Sequence, residues 1–309
     1  MMRFDKYEWT AISIMVSLFI LVGFVEGRSV SLVILNMCII SAIMTMGVNI
    51  SWGYAGVINF GVMGFLAMGG LAAVLVSYPP VKEAWHVGGS GLGISFILLV
   101  ALVTSVYFIT KLVEKKSHKY WINGLVILFG IIIIRYFFLN ATARIEEVDP
   151  ALAGFLGGAN LPIIFSWAVG GFFAGGVAFV IGKVALGLRS DYLAIVTLGI
   201  SEIVVSVLKH EEWLSRGVKN VIGLKRPVPY EINLQSSDWF INMVTWFNSS
   251  KLNDIIDLDQ KQEMLTNLVI DSSSLFVKLN YAVLFFIVMI VIYYFANKAQ
   301  VSPWGRMMR

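Results

Sequence analysis

The residue of this chain best placed to do chemistry is Glu202, a carboxylate inside an apolar run that begins with Arg189 and Asp191. Glu202 lies thirteen positions after Arg189, well inside a stretch long enough to enter a bilayer. A carboxylate at that depth needs a cation, water or a protein-lined path, because hydrocarbon does not solvate charge. Glu202 is therefore a candidate functional residue, and its role depends on its surroundings.

Arg135 is the candidate partner of Glu202. It lies fourteen residues into an apolar helix predicted to begin near residue 121. Both predicted helices run in the same direction, so at 1.5 Å per residue each charge lies roughly 20 Å from the start of its helix. An unpaired charge there costs about 2.5–3.5 kcal/mol, which favours an ion pair between Arg135 and Glu202. The alternative is that each side chain reaches the outer interface separately, and Arg189 and Asp191 are read as flanking charges.

The other reactive residue types form no recognisable constellation. His86, His118 and His210 have no metal-ligand spacing, and the lone Cys38 cannot form an intrachain disulfide. The sequence contains no Gly-x-x-x-x-Gly-Lys-Ser/Thr loop and no nucleophile paired with a base. We therefore expect no catalytic residue, no metal and no resident cofactor.

Composition indicates a polytopic membrane protein. Hydrophobic residues make up 58% of the chain and charged residues 14%, whereas a soluble domain carries about 25% charged residues. The mean hydropathy is +0.81 and the pI about 9.0, which we attribute to charges flanking the membrane rather than to nucleic-acid binding. We predict an all-α transmembrane helix bundle with about eight spanning segments, at 10–26, 30–50, 53–77, 92–112, 121–139, 162–183, 189–208 and 279–297.

Charge predicts the orientation of these segments. The connections at 113–120 and 183–189 and the end at 298–309 are basic, whereas the short connections between them are neutral or acidic. By the positive-inside rule both ends of the chain are cytoplasmic and 209–278 lies outside as an extended loop. Within that loop, Trp239, Phe240, Met243, Val244 and Phe247 recur at helical spacing and predict an amphipathic helix on the membrane or on neighbouring protein. The loop either docks an external partner or has no dedicated role.

Two predicted helices carry small residues at intervals of four. In 162–183 these are Gly170, Ala174, Ala178 and Gly182, and a second set, Gly53, Gly61, Gly69 and Ala73, lies in 53–77. Small residues let helices approach closely. The pattern indicates tight packing within the bundle, or smooth contacts that permit sliding and expose backbone to a solute. The many glycines of 53–77 also permit a broken helix.

Three stretches together resemble one family. The glycine-rich Gly53-Tyr-Ala-Gly-Val-Ile-Asn-Phe-Gly-Val-Met-Gly-Phe-Leu-Ala-Met-Gly-Gly resembles the early helix of branched-chain amino acid ABC transporter permeases. Leu188-Arg-Ser-Asp-Tyr-Leu-Ala-Ile-Val-Thr-Leu-Gly-Ile-Ser-Glu-Ile is similar to the most recognisable stretch of their LivM-type subunit. Ser302-Pro-Trp-Gly-Arg-Met-Met-Arg resembles the start of their cytoplasmic coupling loop. The resemblance covers most of the chain outside 225–278.

The resemblance implies a bacterial inner-membrane subunit that works with a second permease subunit, two ATPase subunits and a periplasmic substrate-binding protein. A tentative substrate path is then Gly53, Gly56, Asn59, Gly61, Gly64, Tyr192, Thr197 and Glu202. The expected ATPase-coupling residues are Ser302, Pro303, Gly305 and Arg306. The chain departs from the family in Ser215-Arg-Gly-Val-Lys-Asn-Val-Ile-Gly, where a glycine pair of the usual turn is lost. It also stops where the coupling loop begins, as an incomplete subunit would.

Three functions follow from the sequence. The first is the membrane path of an ABC importer for an amino acid, branched-chain by resemblance, with urea or short amides as alternative solutes. The second is a secondary transporter or channel, for which Glu202 and Arg135 would be the coupling charges. The third, a membrane-embedded enzyme, finds no support in the residues.

Overall fold

The computed structural model describes residues 6–112, 116–150, 154–185, 187–253 and 257–307, and these are helical with connecting turns. Lys115 and Arg309, two of the basic residues used for orientation, lie outside them. The chain divides into two compact units, Phe60–Lys225 (the central unit) and Met1–Asn59 with Arg226–Arg309 (the split unit). The helices are α1 Lys6–Val25, α2 Arg28–Val48, a π-helix Asn49–Tyr54, α3 Val62–Ser77, α4 Lys82–Leu112, α5 Lys116–Glu146, α6 Ile163–Ala185, α7 Ser190–His210, α8 Glu212–Ser215, α9 Glu231–Gln235, α10 Asp238–Phe247, α11 Ser249–Asn253, α12 Leu258–Val301 and α13 Pro303–Met307.

Among the residues that the structure describes, six helical stretches are long and apolar enough to cross a membrane. They are α2 with the π-helix, α4, α5, α6, α7 and α12. The apolar parts of α1 and α3, Trp9–Val25 and Val62–Ser77, are shorter than the usual span of about 20 residues. The predicted all-helical membrane bundle is therefore confirmed, with six long apolar helices where the hydropathy pattern predicted about eight.

The predicted segment 53–77 is broken rather than continuous. The π-helix ends at Tyr54 and α3 begins at Val62, with a connection between them. Gly56 in this connection has φ +66°, a conformation that glycine adopts without steric cost. Because of the break, Gly53 and Gly61 do not share a helix face with Gly69.

In the central unit, α3 packs against α6 and α7, and α4 against α5. A Cβ on Gly170 of α6 would lie 3.3 Å from the Cα of Gly69 and 3.4 Å from the Cβ of Ala72 in α3. The small residues at this point therefore serve close helix packing, the first of the two sequence interpretations. Gly171 and Gly175, which are also spaced by four residues in α6, have open space around them.

In the split unit, α12 packs against α2 and carries α9, α10 and α11 along its first half. The predicted amphipathic helix is α10, and it packs on α12. Phe240 and Val244 are buried in a core with Val269 and Val277 of α12, while Trp239 remains exposed. The predicted outer loop 209–278 is thus largely helical, and the boundary between the two units falls inside it, after Lys225.

Candidate functional site: a pocket between α3, α7 and the turn after α8

The central unit contains an open pocket of about 320 Å³ at the C-terminal end of α7. One wall is aliphatic and comes from the two packed helices. The other wall is polar and comes from the turn that follows α8. The lining residues are Ala67, Gly70, Leu71 and Val74 of α3, Val205, Leu208 and Lys209 of α7, and Ser215, Gly217, Val218, Lys219, Asn220 and Val221 of the turn.

Two hydroxyl groups of α7 fix the position of α3. The backbone N–H of Gly64 donates to Ser201 Oγ at 2.7 Å, and that of Phe60 donates to Thr197 Oγ1 at 3.2 Å. Both hydroxyl side chains are almost fully buried. The first N–H groups of a helix have no partner within that helix, and lipid cannot supply one. Ser201 and Thr197 therefore hold α3 against α7 by accepting hydrogen bonds from the backbone at and just before the start of α3, and Gly64 N–H also donates to the Gly61 oxygen at 3.1 Å.

The turn after α8 has a strained residue at its start. Arg216 has φ +64° and Gly217 has φ +57°, so the sequence places an arginine at a left-handed position that favours glycine. The Arg216 side chain is 7% exposed, and its Nη1 donates to the backbone oxygen of Asn220 at 2.7 Å. Its guanidinium carbon also lies 6.0 Å from the centre of the Phe155 ring. Arg216 thus holds the turn closed over the pocket.

α8 anchors this turn to the rest of the central unit. The backbone N–H of Trp213 donates to Glu146 Oε1 at the end of α5 at 3.3 Å, and its indole donates to Glu211 Oε2 at 2.6 Å. The backbone N–H of Leu156 donates to the Trp213 oxygen at 3.0 Å. The polar wall is therefore a fixed surface rather than a loose loop.

Two lysines, Lys209 and Lys219, line the pocket. Lys219 forms a salt bridge with Glu212 at 2.5 Å, which is partly solvent-exposed. Lys209 makes no salt bridge with any residue that the structure describes. An aliphatic wall opposite an unpaired ammonium group and amide groups suits a small solute with an apolar part and a carboxylate.

The predicted substrate-path residues fall into both units. Gly53, Gly56 and Asn59 belong to the split unit, and Gly61, Gly64, Tyr192, Thr197 and Glu202 to the central unit. Of the central five, Gly64 and Thr197 lie in the α3–α7 contact just below the pocket. Tyr192 is 62% exposed on the far end of α7. A Cβ on Gly53 would lie 2.1 Å from Asn49 Oδ1, so a larger residue here would displace the Asn49 side chain within the π-helix.

Arg135 and Glu202 do not form an ion pair within the chain. Both residues are exposed, and neither takes part in the salt bridges recorded for the described residues. The physical reason is that α5 packs on α4 and α8, whereas α7 packs on α3, α6 and α8. Equal depth in the membrane does not place two side chains on facing surfaces.

The predicted coupling residues lie in and next to α13. Ser302 Oγ accepts a hydrogen bond from the backbone N–H of Gly305 at 3.1 Å. Pro303 occupies the first helical position, where the N–H that proline lacks would have no partner within the helix. A Cβ on Gly305 would lie 2.2 Å from the backbone oxygen of Ala299, so only glycine lets α13 fold back on the end of α12. Arg306 is exposed.

Sequence reasoning missed Ser201, Lys209 and Arg216. Ser201 carries a signal that would have found it, because Thr197 and Ser201 are spaced by four residues and so share a helix face. Arg216 lies in the stretch where the glycine pair is lost, but no sequence pattern indicates the contacts of its side chain with Asn220 and Phe155.

Comparison of the chain with protein-family models, with curated proteins and with solved structures finds no match.

Proposed function

We propose that this chain is a permease subunit of an ABC importer and forms part of the membrane path for an amino acid with an apolar side chain. The observation that carries the proposal is the open pocket lined by α3, α7 and the turn after α8. Its helical walls come from α3 and α7, which carry parts of the two stretches that resemble branched-chain amino acid permeases, and most of the lining residues on these helices lie just after those stretches. The short helix α13, which follows α12, also supports the proposal. It would provide the surface on which separate ATPase subunits act.

The composition of the pocket favours leucine-like solutes over urea. Leu71, Val74 and Leu208 offer a hydrocarbon surface that urea cannot cover, whereas Lys209 and Asn220 can bind a carboxylate and an amino group. An aliphatic amino acid uses both walls. A secondary transporter remains the second candidate, and the exposed Glu202 is the feature that would favour it.

Competition uptake tests the solute. Cells that express this chain with the proposed ATPase, permease and binding-protein partners should accumulate labelled leucine. Excess isoleucine or valine should suppress that uptake, and the same excess of urea should not. Suppression by urea alone would replace the amino-acid proposal by the urea alternative. Uptake driven by a proton or sodium gradient, without ATPase partners, would favour the secondary transporter.

Filling the pocket tests the site. In Gly70→Val the new side chain enters the pocket without a backbone clash, since a Cβ there meets nothing within 4 Å. We expect leucine uptake to fall about tenfold or more, because one or two added methyl groups occupy the solute's space. The matched control is Gly93→Val, another helical glycine with open space around it that does not line the pocket. Equal activity of the two variants would place the solute elsewhere.

A further inference from the structure

We propose that α9 and the first turn of α10 lie in the lipid interface, where their exposed apolar side chains contact the leaflet at the start of α2. The partner of this surface is the bilayer itself. The proposal requires only that α2 and α12 span the membrane, and it does not rest on the transport function.

The turn between α1 and α2 marks the membrane boundary on α2. Glu26 and Arg28 stand between the apolar stretch of α1 and that of α2. Charges are costly in hydrocarbon, so those between two apolar helices lie at the membrane–water interface. The boundary of the hydrocarbon therefore passes close to Ser29, the next residue along α2.

Lys278 carries this level over to α12. Its ammonium group donates to Ser29 Oγ, and its backbone oxygen accepts a hydrogen bond from Asn36 Nδ2 at 3.1 Å. Lysine side chains rooted in the membrane reach toward the interface in this way. Tyr54 Oη, after α2, donates to the backbone oxygen of Gln300 near the end of α12. The two helices therefore run in the same direction, and the residue level with Ser29 on α12 precedes Lys278.

The boundary consequently crosses α12 near Ser273. Ser29 and Asn36 are seven residues apart, about 10 Å along a helix, and the same distance before Lys278 on α12 leads to the segment 271–273. The chain agrees with this level, because Lys278 is the only charged residue between Asp271 and Lys298.

The structure holds α9 at the same level. Gln235, the last residue of α9, donates from Nε2 to Ser273 Oγ at 2.9 Å. Ile232, three residues earlier in this short helix, is 76% exposed. The exposed side of α9 is therefore at the height where headgroups meet hydrocarbon.

Trp239 places the first turn of α10 beside the lipid-facing part of α12. Its ring centre lies 6.1 Å from that of Phe276, three residues past Ser273, and its side chain is largely exposed. Further into the span, Leu279 and Val283 lie on the same face of α12 as Phe276 and are exposed too. Trp239 thus extends an exposed apolar surface of the span to its edge, the depth that tryptophan prefers in membranes.

Trp246 provides an internal comparison at a different height. α11 ends at Asn253, five residues before α12 begins at Leu258, so α10 leads away from Phe276 toward the start of α12. Trp246 lies seven residues after Trp239 on the same helix face, about 10 Å farther from the boundary, and is also exposed. A protein partner bound to this face would cover both tryptophans, whereas the bilayer covers only Trp239.

Spin-label accessibility in phospholipid nanodiscs tests the proposal. In a Cys38→Ser background, Trp239→Cys or Trp246→Cys carries a nitroxide label. Relaxation by oxygen, which concentrates in hydrocarbon, is compared with relaxation by a water-soluble nickel chelate. We expect the oxygen-to-nickel ratio to be several-fold higher at Trp239→Cys than at its matched control, Trp246→Cys. Equal ratios would overturn the proposal, and so would shielding of Trp239→Cys from both reagents, which indicates a protein partner.

Ile232→Cys provides a second measurement that leaves the ring contacts of Trp239 intact. Its label should show the same preference for oxygen, whereas a label on Lys251→Cys, an exposed position in α11, should relax mainly with the nickel chelate. Aqueous accessibility of Ile232→Cys equal to that of Lys251→Cys would contradict the placement of α9 in the interface.

Discussion

At the scale of single residues, Arg216 shows how one side chain can offset an unfavourable backbone. Its left-handed φ of +64° costs an arginine about 1–2 kcal/mol relative to the ordinary helical region. The buried guanidinium recovers part of this through the hydrogen bond to Asn220 and the contact with Phe155. The arginine can therefore replace a glycine in the turn without opening the pocket.

This balance predicts an inverted order of stability at position 216. Arg216→Ala loses the side-chain contacts and keeps the strained backbone, whereas Arg216→Gly loses the contacts and relieves the strain. We expect Arg216→Gly to be more stable than Arg216→Ala by about 1 kcal/mol, although glycine is usually the less stable residue of the two. Thermal unfolding of the detergent-solubilised variants measures the order. A more stable alanine variant would show that the turn relaxes out of the left-handed conformation.

At the scale of elements, the contact of α3 with α7 is the structural basis of the candidate site. A non-helical connection separates α3 from the preceding π-helix. Hydroxyl groups of α7 accept hydrogen bonds from backbone N–H groups at and just before the start of α3. The contact is close because Gly64 has no side chain. In the same helix, a Cβ added to Gly70 would meet no atom within 4 Å. The helix therefore has one crowded glycine, Gly64, and one glycine with open space around it, Gly70.

The same substitution should therefore have opposite effects at these two glycines. In Gly64→Ala the new Cβ would lie 3.0 Å from Ser201 Oγ and 3.1 Å from Ser201 Cα, and we expect destabilisation of about 1–3 kcal/mol. In Gly70→Ala no atom obstructs the methyl group, and the higher helix propensity of alanine should stabilise by up to about 1 kcal/mol. The midpoints of thermal unfolding should move in opposite directions, and a shift in one direction for both would contradict the described contact.

At the scale of the whole molecule, α12 connects the membrane to a helical cap. Its 44 residues extend about 66 Å, roughly twice the hydrocarbon thickness of a bilayer. The first half is polar and packs against α9, α10 and α11. Near the start of the apolar half, the ring centres of Trp239 and Phe276 lie 6.1 Å apart. A helix of this length and apolar content can cross a bilayer, so we expect its two ends to lie on opposite sides of the membrane.

This arrangement predicts which ends of α12 are accessible from each side. In a Cys38→Ser background, Lys251→Cys in α11 should react with a membrane-impermeant maleimide on intact cells, because the positive-inside rule places the cap outside. Arg306→Cys in α13 should react only after the membrane is permeabilised. Both positions are exposed, so accessibility and not burial decides the result. Labelling of Arg306→Cys alone on intact cells would reverse the proposed orientation.

The amino-acid sequence by itself determined the class of the protein and its helical membrane character, because hydropathy is a local property that needs no knowledge of neighbours. It also predicted the amphipathic helix α10, since helical periodicity is local too. For 53–77 it predicted one spanning segment, and the glycine content permitted the break that the structure shows without predicting it. It located α12 only from 279, because the polar first half of that helix has no apolar run and is held by the cap that packs against it.

Only the tertiary structure decided which surfaces meet. Depth along a helix can be counted from the sequence, but the direction in which a side chain points relative to other helices cannot, and for that reason Arg135 and Glu202 match in depth without pairing within the chain. The pocket likewise arises because α3 packs on α7, where Ser201 accepts a hydrogen bond from Gly64, and because the turn after α8 contributes Lys219 and Asn220 to the same lining. Such contacts depend on the arrangement of distant segments, which no local pattern encodes.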